Sequence, residues 1–239
     1  MASQTPSPAD AAVAAQATDW ARDNRKRFAA DFTLPTRYPG EQHPVALFMA
    51  GSPGAGKTEA SKALLSELGD FLRIDPDEFR KAVPGYDGTN SWLIQSAVSY
   101  LVEAVLDRAF RQKQSFLLDG TLSSYTVAER NIQRCIDKDR DVQIIYVYQD
   151  PKLAWDFVQA REVEEGRRIP ADRFVEQFFA SRDVVNRLKA KFAKDIMIDV
   201  ILKNTDGSSG KYHANVADLN AVAPLRHSRE EVTQLVTSQ

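Results

Sequence analysis

The chain has 239 residues, 43% of them hydrophobic and 27% charged, with a formal net charge of −2, values that fit one sizeable globular domain with appendages. The near-neutral charge gives no sign of a nucleic-acid footprint beyond local basic patches, and no stretch reaches the roughly 18 apolar residues that a membrane span needs. The N-terminus has neither the basic nor the apolar region of a secretory signal, and the single cysteine, Cys135, cannot form an internal disulfide, so cytoplasmic residence is the default expectation.

In chain order, residues 1 to about 16 are rich in Ala, Ser, Pro and Gln and read as a mobile tail, followed by a helix from Asp19 to Asp31 that packs Trp20 and Phe28. The apolar run Val45 to Ala50 predicts the first strand, and Glu59 to Leu65 has the spacing of a helix. Phe71 to Ile74 predicts a second strand, with a helix start at Pro76 after Asp75. A turn-rich stretch, Pro84 to Asn90, leads to a long helix from about Ser91 to Lys113. Ser115 to Asp119 and Val142 to Tyr148 read as strands separated by a helix from Tyr125 to Lys138. Helices over Pro151 to about Val163 and Asp172 to Lys194 flank a charged break from Glu164 to Pro170, and Ile196 to Leu202 is the last core strand. The polar remainder predicts a hairpin around Asp206-Gly207 and a terminal helix. Strands alternating with helices predict an α/β fold, a mainly parallel sheet covered by helices on both faces. The expected division is an N-terminal tail and helix (1–40), a core (41–203) with a lid around 161–170, and a C-terminal extension (204–239).

Residues Gly51, Ser52, Pro53, Gly54, Ala55, Gly56, Lys57 and Thr58 match the phosphate-binding loop pattern in full, between a strand and a helix as that loop requires. The glycines let successive N–H groups turn inward toward phosphate oxygens, at the positive end of a helix. Lys57 is then expected to reach the β and γ phosphates of ATP, and the Thr58 hydroxyl to hold Mg²⁺.

Ligands of open α/β sheets bind at the carboxyl ends of the strands, and two further clusters sit there. Asp75-Pro76-Asp77 puts two carboxylates on a proline-stiffened turn: either could take a proton from an attacking hydroxyl, Asp75 also suits a helix cap, and the helix geometry favours Asp77 as the base. Asp119-Gly120-Thr121 ends a buried strand, where an aspartate can hold the metal or meet a substrate hydroxyl. Arg161, Arg167 and Arg168 flank the charged break and can close over a triphosphate. Arg130, Arg134, Lys138 and Arg140 could form a basic stripe, but Glu129, Asp137, Asp139 and Asp141 interrupt it, which ranks a polynucleotide acceptor low.

From Val45 to Phe192 these residues resemble the zeta-toxin family of P-loop kinases, which phosphorylate UDP-N-acetylglucosamine and serve as toxins of toxin–antitoxin systems. The resemblance rests on the loop Gly51 to Thr58, on Ile74-Asp75-Pro76-Asp77-Glu78-Phe79-Arg80, on Leu118-Asp119-Gly120-Thr121, and on Arg161 with Gly166-Arg167-Arg168-Ile169-Pro170. It implies a P-loop kinase-like three-layer sandwich and ATP with Mg²⁺ as cofactors. Asp77 would be the base, with Lys57, Arg161 and Arg167 stabilising the transferring phosphoryl group. Asp75, Arg80, Asp119 and Thr121 would face the substrate, and Thr58 with Asp119 the metal. An antitoxin protein is the implied partner, with the helix Asp19 to Asp31 a candidate built-in cover over the nucleotide cleft. Where the family commonly has glutamate followed by Gly-Thr-Gly-Arg, this chain has Asp119-Gly120-Thr121-Leu122-Ser123, without the basic residue expected beside a sugar nucleotide. The expected acceptor is a UDP-N-acetyl sugar; the alternatives are NAD, a nucleoside, an antibiotic or a polynucleotide 5′ end, or a nucleotide-binding switch without transfer activity.

Overall fold

The computed structural model describes residues 7–69, 71–166, 168–206 and 208–238. Five parallel strands carry the fold: β1 (Val45–Ala50), β2 (Leu72–Ile74), β3 (Phe116–Leu118), β4 (Asp141–Tyr148) and β5 (Met197–Lys203). A sixth, β6 (Ser209–His213), pairs antiparallel with β5, and the sheet order is β2-β3-β1-β4-β5-β6. The central strand β1 alternates between two cores. Ala46, Phe48 and Ala50 face one, whereas Leu47 and Met49 face the other, so both faces of the sheet are buried, as parallel sheets require.

On one face lie α1 (Pro8–Phe32), α4 (Ser91–Arg111), α5 (Tyr125–Ile136) and α7 (Ala171–Phe192); on the other, α2 (Lys57–Leu68) contributes Ala60, Leu64 and Leu65. A separate apolar cluster joins α6 (Pro151–Glu165) and α7 to the terminal helix α9 (Arg229–Thr237) through Trp155, Phe174, Phe178, Val232 and Val236. The expected hairpin after β5 is present as the β5–β6 pair, although Gly207 itself lies outside the described residues. A short helix, α8 (Leu219–Val222), follows, and the buried Arg182 of α7 donates to Asn220 Oδ1 at 2.8 Å, tying this segment to the core.

The N-terminal helix differs from the sequence expectation in two ways. Residues 8–16, read as part of a mobile tail, are helical: Ser7 caps α1, its side chain and that of Asp10 form a capping box, and Pro8 takes the first helical position, which is a start signal readable in the sequence. The helix is also not a cover. Ala17, Ala21 and Ala29 are buried as α1 lies along α4, and Phe28 and Phe32 pack edge-on to Phe79 at 4.9 and 4.7 Å. No described α1 residue lines the cleft beside the phosphate loop; small residues that allow close packing made α1 part of the core instead.

Three helix starts position the chemistry. Gly56 caps α2 in the left-handed conformation. Asp75 caps α3 (Pro76–Arg80), its carboxylate accepting from the Asp77 N–H at 2.8 Å, and Asp150 caps α6 with bonds to the N–H groups of Lys152 and Leu153.

Candidate active site

The phosphate loop is shaped by its backbone. Gly51 and Gly54 have φ of +134° and +70°, and a Cβ at either would overlap a carbonyl oxygen, of Val147 and Ala154 respectively. Only glycine fits both the torsion and the space. The Gly51 N–H donates to the Thr121 carbonyl at 3.2 Å, which ties the loop to the segment after β3. Lys57 Nζ donates to the Ser52 carbonyl at 2.7 Å, so the ammonium lies back across the loop.

Beside the loop is a cleft of about 300 Å³, lined by Lys57, Thr58, Asp75, Asp77, Arg80, Asp119, Thr121 and Arg161 together with Pro53 and Gly54. Every expected site residue outside the backbone of the loop thus meets there except Arg167, which lies outside the described residues. Arg168 is not on the cleft wall: it is exposed and stands 3.7 Å from Glu162. The segment after α6 contributes Ile169, and α7 contributes Gln177.

A charge network holds the carboxylates. Arg73, in the middle of β2, donates through Nη2 to Asp75 Oδ2 at 2.6 Å and to Asp119 Oδ2 at 2.7 Å. Its Nε also reaches Asp119 Oδ2 at 3.2 Å, and its Nη1 binds Glu78. Ser61, one helical turn after Thr58, donates to the same Asp119 oxygen at 2.7 Å. Asp119 is 6% exposed, so these donors replace the water that the buried carboxylate gave up. Its Oδ1 has no protein partner among the described residues. Asp77 is paired with Arg80, whose Nη2 donates to Gln95 Oε1 at 2.9 Å. Burial pushes the Asp75 carboxyl above its ordinary range, and the neighbouring Asp77 charge adds to this, against the opposing pull of Arg73.

Arg73, Ser61, Gln95 and Gln177 were not expected from the sequence. The signal for Arg73 was present, a lone charge inside the apolar run Phe71 to Ile74; the register of β2 on β3, Ile74 opposite Leu118, then brings Asp75 beside Asp119 with Arg73 between them.

The family model for the zeta toxin matches residues 30–217. The chain belongs to the zeta toxin family. A search of curated proteins finds no sequence match. Among solved structures, the PezAT chromosomal toxin–antitoxin system of Streptococcus pneumoniae aligns over 99% of this chain and 91% of that one, with a TM-score of 0.62 and 16% identity. AvrRxo1-ORF1:AvrRxo1-ORF2 with sulphate ions covers 91% of this chain and 73% of that one, at TM-score 0.59 and 19% identity. The AvrRxo1-ORF1:-ORF2 structure with ATP covers 85% and 65%, at 0.55 and 18%. At these identities the likeness is one of fold, and it agrees with the P-loop kinase-like α/β sandwich of this zeta toxin family member.

The remaining motifs of the sequence have structural roles. Arg130 and Arg134 pair with Glu103, Arg134 also with Asp107, and Arg140 is buried with bonds to the Gln114 and Ala109 carbonyls at 2.7 and 3.0 Å. Three of the four residues of the expected stripe are thus engaged, and Lys138 is exposed. Cys135 is buried, and burial pushes its thiol up to about 12, which makes it inert packing. Among the described residues no helix is long and apolar enough to cross a membrane.

Proposed function

We propose that this protein is an ATP-dependent kinase that transfers the γ-phosphoryl group to a hydroxyl of a small nucleotide-type metabolite. The observation that carries this reading is the convergence of Lys57, Asp77 and Arg161 on one cleft beside the phosphate loop. The acceptor O–H gives its proton to the Asp77 carboxylate, the acceptor oxygen bonds to the γ-phosphorus, and the β,γ-bridging O–P bond breaks with its electron pair leaving on ADP. Arg80 orients the Asp77 carboxylate, and Lys57 with Arg161 neutralises charge on the phosphoryl oxygens. Arg167 is assigned the same work from the family resemblance alone.

The cleft offers the hard oxygen donors that Mg²⁺ takes, the Thr58 hydroxyl and Asp119 Oδ1, and among the described residues no cage of three or more His, Cys, Asp or Glu side chains. That donor set suits an ion bound through one or two protein oxygens and the phosphates of its nucleotide. Thr58 and Asp119 would hold it, and when bound it would offset phosphate charge.

The family resemblance names a UDP-N-acetyl sugar first as acceptor, with Asp75, Arg80, Asp119 and Thr121 as substrate contacts, and a protein antitoxin as partner. A polynucleotide acceptor finds little support, since Arg130 and Arg134 are ion-paired and Arg140 is buried.

The test is Asp77→Asn. We expect kcat to fall by about a thousandfold, within the range for loss of a general base, while ATP binds within about threefold of wild type. Phosphoryl transfer retained in that variant defeats the assignment of the base; wild-type protein that binds ATP and transfers to no hydroxyl is instead a nucleotide-binding switch.

A further inference from the structure

The cleft opens into a second groove of about 470 Å³ between α4 and α5, and the two share Pro76, Gln95, Gly120, Thr121 and Ser123. A molecule in this groove has its near end beside the Asp75–Asp77 turn. Resting on the phosphoryl-transfer reading above, but departing from its nucleotide acceptor, we propose that the groove takes an uncharged acceptor with an apolar face, its reactive hydroxyl directed toward Asp77.

The walls are mainly hydrocarbon: Val98 and Val102 from α4, Leu118 at the end of β3, Leu122, and Val127 and Ala128 from α5. Val127 is 46% exposed, a large apolar side chain left in contact with solvent at the groove. Two charged residues line the groove, Glu103 and Arg130, and they are paired with each other. Glu103 is held by Arg134 as well. The groove therefore has no net charge of its own to offer a diphosphate. The other cations around it are engaged: Arg80 donates to Gln95 and pairs with Asp77, Arg134 pairs with Glu103 and Asp107, and Arg22 stands over the Tyr100 ring at 5.1 Å, donates to the Tyr100 hydroxyl and pairs with Asp19. Desolvating phosphate oxygens against these walls without an unpaired cation is unfavourable, whereas an uncharged apolar body gains by leaving water.

Two further observations point the same way. Leu122 has φ of +52°, a left-handed conformation that a leucine rarely adopts and that costs energy. Its side chain packs on the main core and lines the groove, so an apolar wall is kept despite the strain. Asn131 borders the groove, 3% exposed and with its Oδ1 enclosed, so no charged group faces the groove there.

Isothermal titration calorimetry on the full chain tests this, with 4-methylumbelliferyl N-acetyl-β-D-glucosaminide and chloramphenicol as neutral probes and UDP-N-acetylglucosamine and NAD as anionic ones. The umbelliferyl compound and the UDP-sugar carry the same N-acetyl sugar, so their difference isolates the charged half. At least one neutral probe is expected to bind about tenfold or more tightly than both anionic probes. Val127→Asp should weaken that neutral probe about tenfold with ATP affinity unchanged. Leu122→Gly, in which relief of the backbone strain offsets part of the lost packing, should weaken it about threefold. Tighter binding of either anion, no binding of either neutral probe, or neutral binding that neither substitution affects overturns the proposal. Transfer is read separately by mass spectrometry: a neutral probe that binds as expected but gains no phosphate supports the groove and counts against the kinase reading, and a UDP-sugar phosphorylated with the higher kcat/KM does the reverse.

Discussion

The phosphate loop and the carboxylate turn face each other across one cleft, yet they are built by opposite means. The loop Gly51 to Gly56 is shaped by backbone torsion, with φ of +134°, +70° and +83° at its three glycines. The turn Asp75 to Asp77 has ordinary torsions, and its side chains are fixed by ion pairs: Arg80 of the same short helix holds Asp77, and Arg73, two residues before Asp75, joins it to Asp119 at the end of the neighbouring strand. A site made of backbone is set by the residues that form it. A site made of ion pairs depends on which strands become neighbours.

Substitutions that strike one side at a time sharpen this contrast. The largest effect is expected on the loop. Gly54→Ala adds a Cβ that overlaps the Ala154 carbonyl at a left-handed residue, so the loss of stability should exceed the roughly 1–2 kcal/mol of the torsion alone. ATP affinity should fall by about a hundredfold or more, since a loop displaced by an ångström no longer meets the phosphates. Calorimetric unfolding and nucleotide titration check both, and a Gly54→Ala protein of normal ATP affinity breaks the backbone argument.

The next effect belongs to the ion pairs. Arg73→Gln leaves the buried Asp75 and Asp119 without their shared cation, and removal of one partner from such a pair costs about 3 kcal/mol. The phosphate loop does not use Arg73, so ATP should bind within about threefold of wild type while kcat falls. An equal loss of ATP affinity would mean that the two halves of the site are not separately built.

The smallest effect is a pH dependence. Because burial and the Asp77 charge raise the Asp75 carboxyl above its ordinary range, the folded state holds that proton more tightly than the unfolded chain does. The stabilising contribution is therefore complete below the ordinary carboxylate range and is lost as pH rises through the raised value. Asp75→Asn cannot titrate there. Urea unfolding between about pH 3 and about pH 7 should show the stability of wild type relative to Asp75→Asn falling as pH rises. A difference that grows with pH would show that Arg73 outweighs burial.

The apolar periodicities were enough to find each parallel strand to within a residue or two at its ends, because a strand buried on both faces must be continuously hydrophobic. Ser7-Pro8 and Asp10 carried a helix start that the surrounding alanines and prolines disguised as a tail. Arg73 was visible only as an anomaly: a charge in a three-residue strand has meaning once its neighbour is known. The apolar groove was not legible, since Val98, Val102, Leu122 and Val127 are spread over thirty positions of chain and look like ordinary helix and turn residues.

The sequence by itself determined the phosphate loop, the alternating α/β plan and the Asp75-Pro76 helix start, since each follows from torsions and hydrogen bonds within a few consecutive residues. Only the tertiary structure decided that β2 lies on β3, so that Arg73 bridges Asp75 and Asp119, and that α1 packs along α4 instead of covering the cleft. Those outcomes depend on contacts between distant residues. They are selected by the burial of whole faces, which no local stretch of sequence contains.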